Sequence, residues 1–364
     1  MDGTGPAVVG VIVNPLAGKD IRRLVAQASH TPDTAKIGIV RRAVIAAAES
    51  GARHILLAAD PHHLARRAVE GLDLAATVEL LDLRVSGSRR DTVRAAAAMW
   101  KRDVGAVIAL GGDGTCRDVA MGWPDVPLIA ISTGTNNVFP SALDATAAGC
   151  AAGLVASGAV PLATVGRRAK RVSVRIEVLA HAEPQPDPTD DLALVEVALI
   201  DTTFVGARAV TDPTTIRSVV AAFATPMGTG LSALAGRAHP VGRWDDGGVM
   251  VRLGPGGRRL RLPIAPGTFT DIDLAEVVPL SLGQCIEMVG PGVLAFDGER
   301  DRRLTHGQRV ALSVDAAGPI VIDVELTLAL AAQAGLFDQP IQSPQPRSIH
   351  SEQHKHDTET FDGH

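Results

Sequence analysis

Aromatic residues are scarce in this chain of 364 residues: they make up 3% of it, and there is no tyrosine. Proteins that bind single-stranded nucleic acid stack the bases on aromatic side chains, so this scarcity argues against that class. A formal net charge of −5 argues against nucleic acid more generally, because binding to the phosphate backbone requires a basic surface. We therefore expect no nucleic-acid partner.

Cysteine is also scarce, since Cys116, Cys150 and Cys285 lie far apart and form no CxxC pair. This usage is typical of a reducing compartment without disulfides or a zinc cluster. The N-terminus lacks a basic segment followed by a long apolar one, so the sequence predicts no signal peptide. Residues 145–166 carry no charge, but they are mainly small and include Pro161, which favours a packed helix and a connection over a membrane span. We expect a cytoplasmic protein with no membrane partner.

Apolar residues, by contrast, are plentiful at 46%, and a chain of this length suits two domains better than one. Strand and helix patterns alternate from residue 8 to about residue 160, which predicts a doubly wound α/β sheet. The predicted strands cover residues 8–13, 55–58, 77–85, 104–110 and 128–131, and the predicted helices cover residues 40–50, 61–70 and 90–101.

The pattern changes after residue 160 to short apolar runs separated by Gly, Pro and Asp, which predicts an antiparallel, β-rich second domain. The predicted strands there are 172–179, 194–200, 249–253, 260–264, 285–289, 293–296, 309–314 and 320–326, with a loop at 185–191. After Phe337 the chain becomes polar and predicts a disordered tail. The predicted organisation is an α/β domain over residues 1–160, a β-rich domain over 161–337 and a tail over 338–364.

The most informative stretch is Val107–Ala120, in which an apolar run leads into G-G-D-G-T and then into a helical pattern. The glycines at 111, 112 and 114 permit a sharp turn and let a bulky anion approach the backbone. The helix N-terminus that follows is favourable for phosphate. These residues predict a phosphate site, although an ordinary turn between strand and helix would use the same residue types.

Two side chains of this motif have candidate roles. Thr115 is a candidate helix cap, with Asp118 three positions later. Asp113 is an unexpected neighbour for a phosphate unless it has another task, such as accepting a proton from an attacking hydroxyl.

Two other polar loops directly follow predicted parallel strands. N-P-L-A-G-K at 14–19 could present backbone N–H groups and Lys19 to phosphates, although it is no Walker A loop. S-T-G-T-N-N at 132–137 lies at a carboxyl strand end, where open α/β sheets bind ligands. Each loop could instead be an ordinary turn. We expect the 111–115 and 132–137 loops to lie close together, since they end successive strands.

The second half contributes two more candidate segments. T-P-M-G-T-G-L-S at 225–232 could line the opposite wall of a cleft between domains or be a plain connection. F-D-G-E at 296–299 is most simply a tight turn between strands.

Taken together, these motifs resemble those of the NAD kinase and diacylglycerol kinase superfamily, and most of all the ATP-NAD kinase-like proteins of the AcoX type, associated with acetoin catabolism. The motifs occur in the superfamily's order across nearly 300 residues and are N-P-L-A-G-K at 14–19, G-G-D-G-T at 111–115, G-T-N-N at 134–137, T-P-M-G-T-G-L-S-A-L-A-G at 225–236 and D-G-E at 297–299.

The resemblance implies a nucleotide-binding α/β domain, a β-rich domain and a cleft between them, with ATP as phosphoryl donor and Mg²⁺ bound with the nucleotide. Asp113 matches the aspartate that helps to deprotonate the acceptor hydroxyl. The candidates for binding the nucleotide and its phosphates are Asn14, Gly18, Lys19, Gly111, Gly112, Gly114, Thr115, Thr133, Gly134, Thr135 and Asn136. The candidates for binding the acceptor are Asn137, Asp201, Thr225, Gly228, Thr229, Ser232, Asp297 and Glu299. No set of protein metal ligands is predicted.

Three positions depart from the superfamily pattern. Ile200 stands where NAD kinases carry Asn before an acid, here Asp201, and Ser232 stands where their acceptor loop has tyrosine. Asn137 ends a G-T-N-N stretch that is closer to the lipid-kinase G-T-x-N-D. The predicted function is phosphoryl transfer from ATP to a hydroxyl of NAD or a related acceptor.

Two alternatives remain: a lipid, polyol or small-metabolite kinase of the same superfamily, and a nucleotide-binding regulator linked to acetoin catabolism that has lost catalysis. We expect a homo-oligomer whose partners are nucleotide and small-molecule substrates.

Overall fold

A sheet of seven strands dominates the first half of the computed structural model, which describes residues 7–18, 31–134, 137–177, 190–202, 212–265 and 267–338. Its strands are β1 (Val8–Val13), β2 (His54–Leu57), β3 (Thr77–Leu80), β4 (Ala106–Gly111), β5 (Pro127–Ser132), β6 (Gly166–Arg168) and β17 (Ile320–Ile322). They lie in the order β3-β2-β1-β4-β5-β17-β6, and all but the edge strand β6 run parallel. Every residue of β1 and β4 is buried, as expected for central strands covered on both faces.

Helices cover both faces of this sheet, so the doubly wound prediction is confirmed. One face carries α1 (Asp33–Glu49), α2 (Leu64–Val69), α5 (Ala145–Ala156), α6 (Leu162–Val165) and α8 (Val324–Gln333). The other face carries α3 (Arg90–Trp100) and α4 (Asp113–Gly122).

The uncharged stretch that begins at residue 145 forms α5, a packed helix as predicted. Glycines let it approach α1 closely: a Cβ at Gly149 would lie 2.2 Å from the carbonyl oxygen of Ala43, and a Cβ at Gly153 would lie 2.5 Å from that of Ala47. In the part of the chain that the structure describes, no helix is long and apolar enough to cross a membrane.

The second half is built of two antiparallel sheets, which confirms the β-rich prediction. Six strands lie in the order β12-β11-β10-β9-β14-β15 and four in the order β13-β16-β7-β8. They are β7 (Arg171–Ile176), β8 (Asp190–Ala193), β9 (Glu196–Ile200), β10 (Ile216–Ala221), β11 (Gly248–Ala265), β12 (Thr268–Leu280), β13 (Cys285–Val289), β14 (Gly292–Phe296), β15 (Glu299–Leu304) and β16 (Arg309–Asp315). A core of apolar side chains fills the space between the two sheets, and the helix α7 (Leu231–Ala238) packs on the far side of the larger one.

Several predicted elements have different bounds. The strand predicted over 77–85 ends at Leu80, and the loop predicted over 185–191 overlaps β8, which begins at Asp190. The strand predicted over 320–326 is wrong in its second part, because Asp323 accepts a hydrogen bond from the N–H of Leu326 at 2.9 Å and caps the helix α8. The tail from residue 339 onward lies outside the described residues, as do Lys19, Thr135 and Asn136.

The chain returns to the first sheet near its C-terminal end. Ile320 pairs with Pro127 of β5, and α8 then packs against α5. The sheet that carries the candidate site therefore needs a segment from the far end of the sequence. The domain limits at residues 160 and 337 stay predictions.

Candidate active site

The polar loops that follow β1, β4 and β5 meet at one edge of the parallel sheet, as their strand ends predict. The side-chain amide of Asn14 donates to the hydroxyl of Thr115 at 2.9 Å, and the N–H of Asn14 donates to the carbonyl of Leu110 at 3.0 Å. The N–H of Thr133 in turn donates to the carbonyl of Gly111 at 3.2 Å. The structure thus brings together three motifs that are separated by up to about 120 residues.

Glycines are required where these loops come close to one another. Gly18 has a φ of +73°, and a Cβ there would lie 2.6 Å from the carbonyl oxygen of Thr133. A Cβ at Gly112 would lie 2.8 Å from Oδ1 of Asn137, and one at Gly134 would lie 3.2 Å from its Nδ2. The glycines therefore let the loops after β1, β4 and β5 pack directly against one another.

A buried lysine that no motif indicates organises the first loop. Lys36 of α1 is 0% exposed, and its Nζ donates to the carbonyls of Pro15 and Ala17 at 2.7 Å each and to that of Asn14 at 3.4 Å. The Lys36 ammonium thus satisfies these carbonyls as hydrogen-bond acceptors, and its positive charge favours an anion near the loop. The available signal in the sequence is a lysine on the buried face of a helix.

Asp113 begins α4, and its carboxylate faces the segment after β5. Oδ1 accepts hydrogen bonds from the N–H groups of Val138 at 2.9 Å and Phe139 at 2.7 Å, and Oδ2 accepts from Val138 at 3.1 Å. The side chain is therefore held in one orientation at the centre of the glycine-rich surface.

The side-chain hydroxyl of Thr133 forms no hydrogen bond with the described part of the chain. Its side chain is 3% exposed and its Oγ1 has no hydrogen-bond partner among the described residues, whereas its carbonyl accepts from Thr31 at 2.6 Å. A buried hydroxyl without a partner costs about 1–3 kcal/mol, which a bound ligand oxygen would recover.

The F-D-G-E prediction of a tight turn is confirmed. Asp297 and Gly298 have φ values of 49° and 79° and join β14 to β15, as in the hairpin turns that favour these residue types. The Asp297 carboxylate accepts hydrogen bonds from the N–H groups of Val195 at 2.8 Å, Leu194 at 3.2 Å and Glu196 at 3.3 Å. Burial raises the pKa of Asp297 to about 7, although Arg117 and these N–H groups act in the opposite direction.

Glu299 faces the first turn of α4 from the second half. Its carboxylate lies 3.9 Å from the point that a Cβ on Gly114 would occupy. The D-G-E motif therefore lies against the G-G-D-G-T motif. Its Asp297 binds backbone N–H groups of the second half, and its Glu299 faces the first turn of α4.

An ion-pair cluster behind these motifs ties α4 to the second half. Arg117 is buried, donates to Asp191 at 2.7 Å and Asp301 at 3.1 Å, and lies 4.2 Å above the ring of Phe296. On the same helix, burial raises the pKa of Asp118 to about 6, against the attraction of Arg89 and Arg117.

The 225–232 loop lies across from the segment that binds Asp113. A Cβ at Gly228 would lie 4.0 Å from Cγ2 of Val138, so the loop contacts the segment that binds Asp113, and its role as a cleft wall stays a prediction. The hydroxyl of Thr225 accepts from the N–H of Met227 at 3.3 Å, and Thr229 is half-buried between Gly228 and α7.

Ser232 is directed away from this wall. It is 2% exposed, and its hydroxyl donates to the carbonyl of Phe223 at 3.1 Å and accepts from the N–H of Thr225 at 3.3 Å. Both bonds hold the loop in shape, so the structure gives Ser232 an internal role.

Asp201 does not join the other candidates. It follows the end of β9, whereas the Asp297 carboxylate binds the N–H of Glu196 at the beginning of that strand. At a rise of about 3.3 Å per residue, Asp201 therefore lies about 16 Å along the strand from Glu196. Asp201 instead lines a separate cavity of about 660 Å³ between the strands of the second half. The acid of this strand that lies at the site is Glu196, which is 4% exposed and which the motifs do not indicate.

No three His, Cys, Asp or Glu side chains converge as a metal-binding group within the described ranges.

Comparison with known proteins gives matches over most of the chain. Residues 9–159 match the family model described as the ATP-NAD kinase N-terminal domain, and residues 174–317 match that of the acetoin catabolism protein X C-terminal domain. Acetoin catabolism protein X of Cupriavidus necator is 34% identical over 354 residues, which cover 94% of this chain and 96% of that protein.

Among solved structures, yeast NADH kinase complexed with NADH aligns with a TM-score of 0.49 and 13% identity, over 93% of this chain and 90% of that one. An NAD kinase from Archaeoglobus fulgidus in complex with ATP aligns with a TM-score of 0.42 and 16% identity, over 77% of this chain and 96% of that one.

Proposed function

The chain belongs to the acetoin catabolism protein X family, and we propose that it is a phosphotransferase that moves a phosphoryl group from ATP to a hydroxyl of NAD or a related acceptor. The observation that carries the proposal is the placement of Asp113. Its carboxylate lies at the start of α4 and is oriented by the N–H groups of Val138 and Phe139, and Val138 in turn lies beside Gly228 of the 225–232 loop. A carboxylate in that place can accept the proton of an attacking hydroxyl.

The loops on one side of Asp113 supply what a nucleotide phosphate needs. Gly18, Gly112 and Gly134 let the three loops pack closely together at the strand ends, and Lys36 places its positive charge against the carbonyls of the first loop. The buried hydroxyl of Thr133 is a donor for a phosphate oxygen. Mg²⁺ bound with the nucleotide would neutralise charge on the transferring group, and the protein groups would orient donor and acceptor.

Residues of the second half, together with one residue after β5, would hold the acceptor. They are Gly228 and Thr229 of the 225–232 loop, Asn137 after β5, and Glu299 opposite Gly114. Asp297 would act indirectly by fixing the turn that presents Glu299. Asp201 has no part in this arrangement, because it lies at the far end of β9.

A second candidate is a kinase of a smaller hydroxyl compound. Ser232, at the position where the acceptor loop of NAD kinases has tyrosine, is buried and bonded to the carbonyl of Phe223. The loop therefore offers no aromatic surface to a nicotinamide or adenine ring at this position, which favours an acceptor without such a ring. We also propose nucleotide and small-molecule partners and a homo-oligomer, the latter open to light scattering.

The test is formation of NADP⁺ from NAD⁺, ATP and Mg²⁺ by the purified protein, with ADP release measured in parallel for a panel of small alcohols and polyols. Asp113→Asn should lower turnover at least 100-fold, a typical effect of losing a general base. Asp103→Asn is the matched control, because Asp103 is exposed and its left-handed backbone tolerates Asn.

Each outcome separates the alternatives. NADP⁺ formation that depends on Asp113 supports NAD as the acceptor. ADP release with a small alcohol or polyol but not with NAD⁺ supports a smaller hydroxyl compound as the acceptor. ATP binding without ADP release for any acceptor would contradict the transferase proposal and identify a nucleotide-binding regulator.

A further inference from the structure

Arg243 contacts the segment that orients Asp113. It lies between α7 and β11 in the second half, and its Nη2 donates to the carbonyl of Val138 at 3.3 Å and to the carbonyl of Phe139. The N–H groups of the same two residues donate to Asp113 at 2.9 and 2.7 Å. The Val138–Phe139 segment is therefore held by a cation through its carbonyls and by a carboxylate through its N–H groups.

One peptide unit connects the two charges directly. The carbonyl of Val138 and the N–H of Phe139 belong to the same amide group, with Arg243 at its oxygen and Asp113 at its nitrogen. Hydrogen bonds at opposite ends of an amide strengthen one another, by about 10–30% per bond in a chain. The guanidinium thus strengthens the bond that holds the Asp113 carboxylate.

The guanidinium is itself fixed in place by aromatic rings. It lies 4.8 Å from the ring centroid of Phe139, 5.4 Å from that of Phe223 and 5.8 Å from that of Trp244. Such cation–π contacts contribute about 0.5–2 kcal/mol each, more where water is excluded. Burial lowers the pKa of Arg243, but nearby Asp113 raises it, and a guanidinium remains charged at any working pH.

We propose that Arg243 is a positioning residue for Asp113, acting from the second half through the amide between Val138 and Phe139. This inference rests on the proposed function, since it assigns Asp113 its orientation for the reaction. It also gives the second half a role in the proposed reaction. The residue that orients the Asp113 carboxylate belongs to the second half and lies next to the 225–232 loop.

The first test measures hydrogen exchange at the amides of Val138 and Phe139 in the full chain. In Arg243→Met these amides should exchange at least 10-fold faster, because the carbonyls of the same segment lose the guanidinium that holds the segment against Asp113. Arg167→Met is the matched control. Arg167 also stacks on Trp244, with 4.7 Å to the ring centroid, but its side chain donates to the carbonyl of Trp244 rather than to the 138–139 segment.

Arg243→Lys provides the variant that conserves charge and should fold even if the methionine variant does not. An ammonium keeps the charge and can still donate to a carbonyl, but it lacks the planar guanidinium that stacks on the rings, so protection should return in part, to between that of wild type and that of Arg243→Met. Unchanged exchange in Arg243→Met, or equal acceleration in Arg167→Met, would overturn the proposal. This arm requires no turnover, so it decides the role of Arg243 even if the proposed function fails.

The second test separates positioning from binding. Arg243→Met should lower kcat at least 10-fold and leave the KM for ATP within about 3-fold, since the glycine-rich loops are untouched. Arg243→Lys should recover part of kcat. A rise in the KM for ATP with kcat unchanged would overturn the positioning role, whereas absence of activity in the wild type would refute the proposed function alone.

Discussion

At the scale of single residues, the side chains of the site differ in how readily they can be identified from the sequence. Asp113 and its neighbouring glycines are recognisable because a tight strand-to-helix turn and a phosphate site need those residue types in a short stretch. Lys36, Glu196 and Arg243 are not recognisable in this way. Lys36 and Arg243 act through carbonyls of other segments, Glu196 lies at the site through the register of β9, and no local motif marks any of the three.

Lys36 leads to a prediction about the first loop. Lys36→Met would leave the carbonyls of Pro15 and Ala17 without their buried donor, at a cost of about 1–3 kcal/mol per unpaired group. The affinity for ATP, measured by isothermal titration, should fall at least 10-fold. Lys101→Met, at an exposed lysine just after α3, is the control and should bind ATP normally. Equal ATP affinity in the two variants would show that Lys36 does not organise the nucleotide loop.

At the scale of elements, most strands and helices of the first half follow from apolar periodicity, because buried parallel strands are continuous apolar runs. The end of the chain shows where periodicity misleads. Residues 320–326 have the apolar pattern of a strand. Asp323 nevertheless caps a helix whose later residues pack into the core that α1 and α5 form on the parallel sheet. A capping side chain three residues before an N–H outweighed a short alternating pattern.

The link between α4 and β8 depends on Arg117, and a matched pair of arginines tests it. Arg117 and Asp191 are each 4% exposed at 2.7 Å, whereas Arg175 and Asp190 form a pair at 3.1 Å with exposures of 80% and 71%. Arg117→Met should lower the free energy of unfolding by about 3 kcal/mol or more, since it leaves a buried carboxylate and the carbonyl of Leu192 poorly paired.

Arg175→Met should lower the free energy of unfolding by less than about 1 kcal/mol, as is usual for exposed pairs. Urea unfolding followed by circular dichroism gives both values. Similar losses in the two variants would mean that the buried cluster adds nothing to the attachment of α4.

At the scale of the whole molecule, the topology could be predicted only in part. The order of motifs and the two classes of sheet follow from the sequence, but the insertion of β17 beside β5 does not, because no local pattern specifies a partner about 190 residues away. The second half is in effect inserted between β6 and β17, both of which belong to the first sheet.

This arrangement predicts that the integrity of the proposed nucleotide loops depends on the C-terminal helix α8. Ala331 is 0% exposed and belongs to the core beneath α1 and α5, whereas its neighbour Ala332 is exposed on the same helix. Ala331→Asp would bury an unpaired carboxylate and should destabilise the protein by about 3 kcal/mol or more, with loss of ATP binding. Ala332→Asp carries the same helix-propensity cost on the solvent side and should stay within about 0.5 kcal/mol of wild type with ATP binding intact. Unfolding in urea and titration with ATP measure the two properties. If Ala331→Asp lost stability but bound ATP normally, α8 would be a separate stabilising element rather than a part of the nucleotide-binding half.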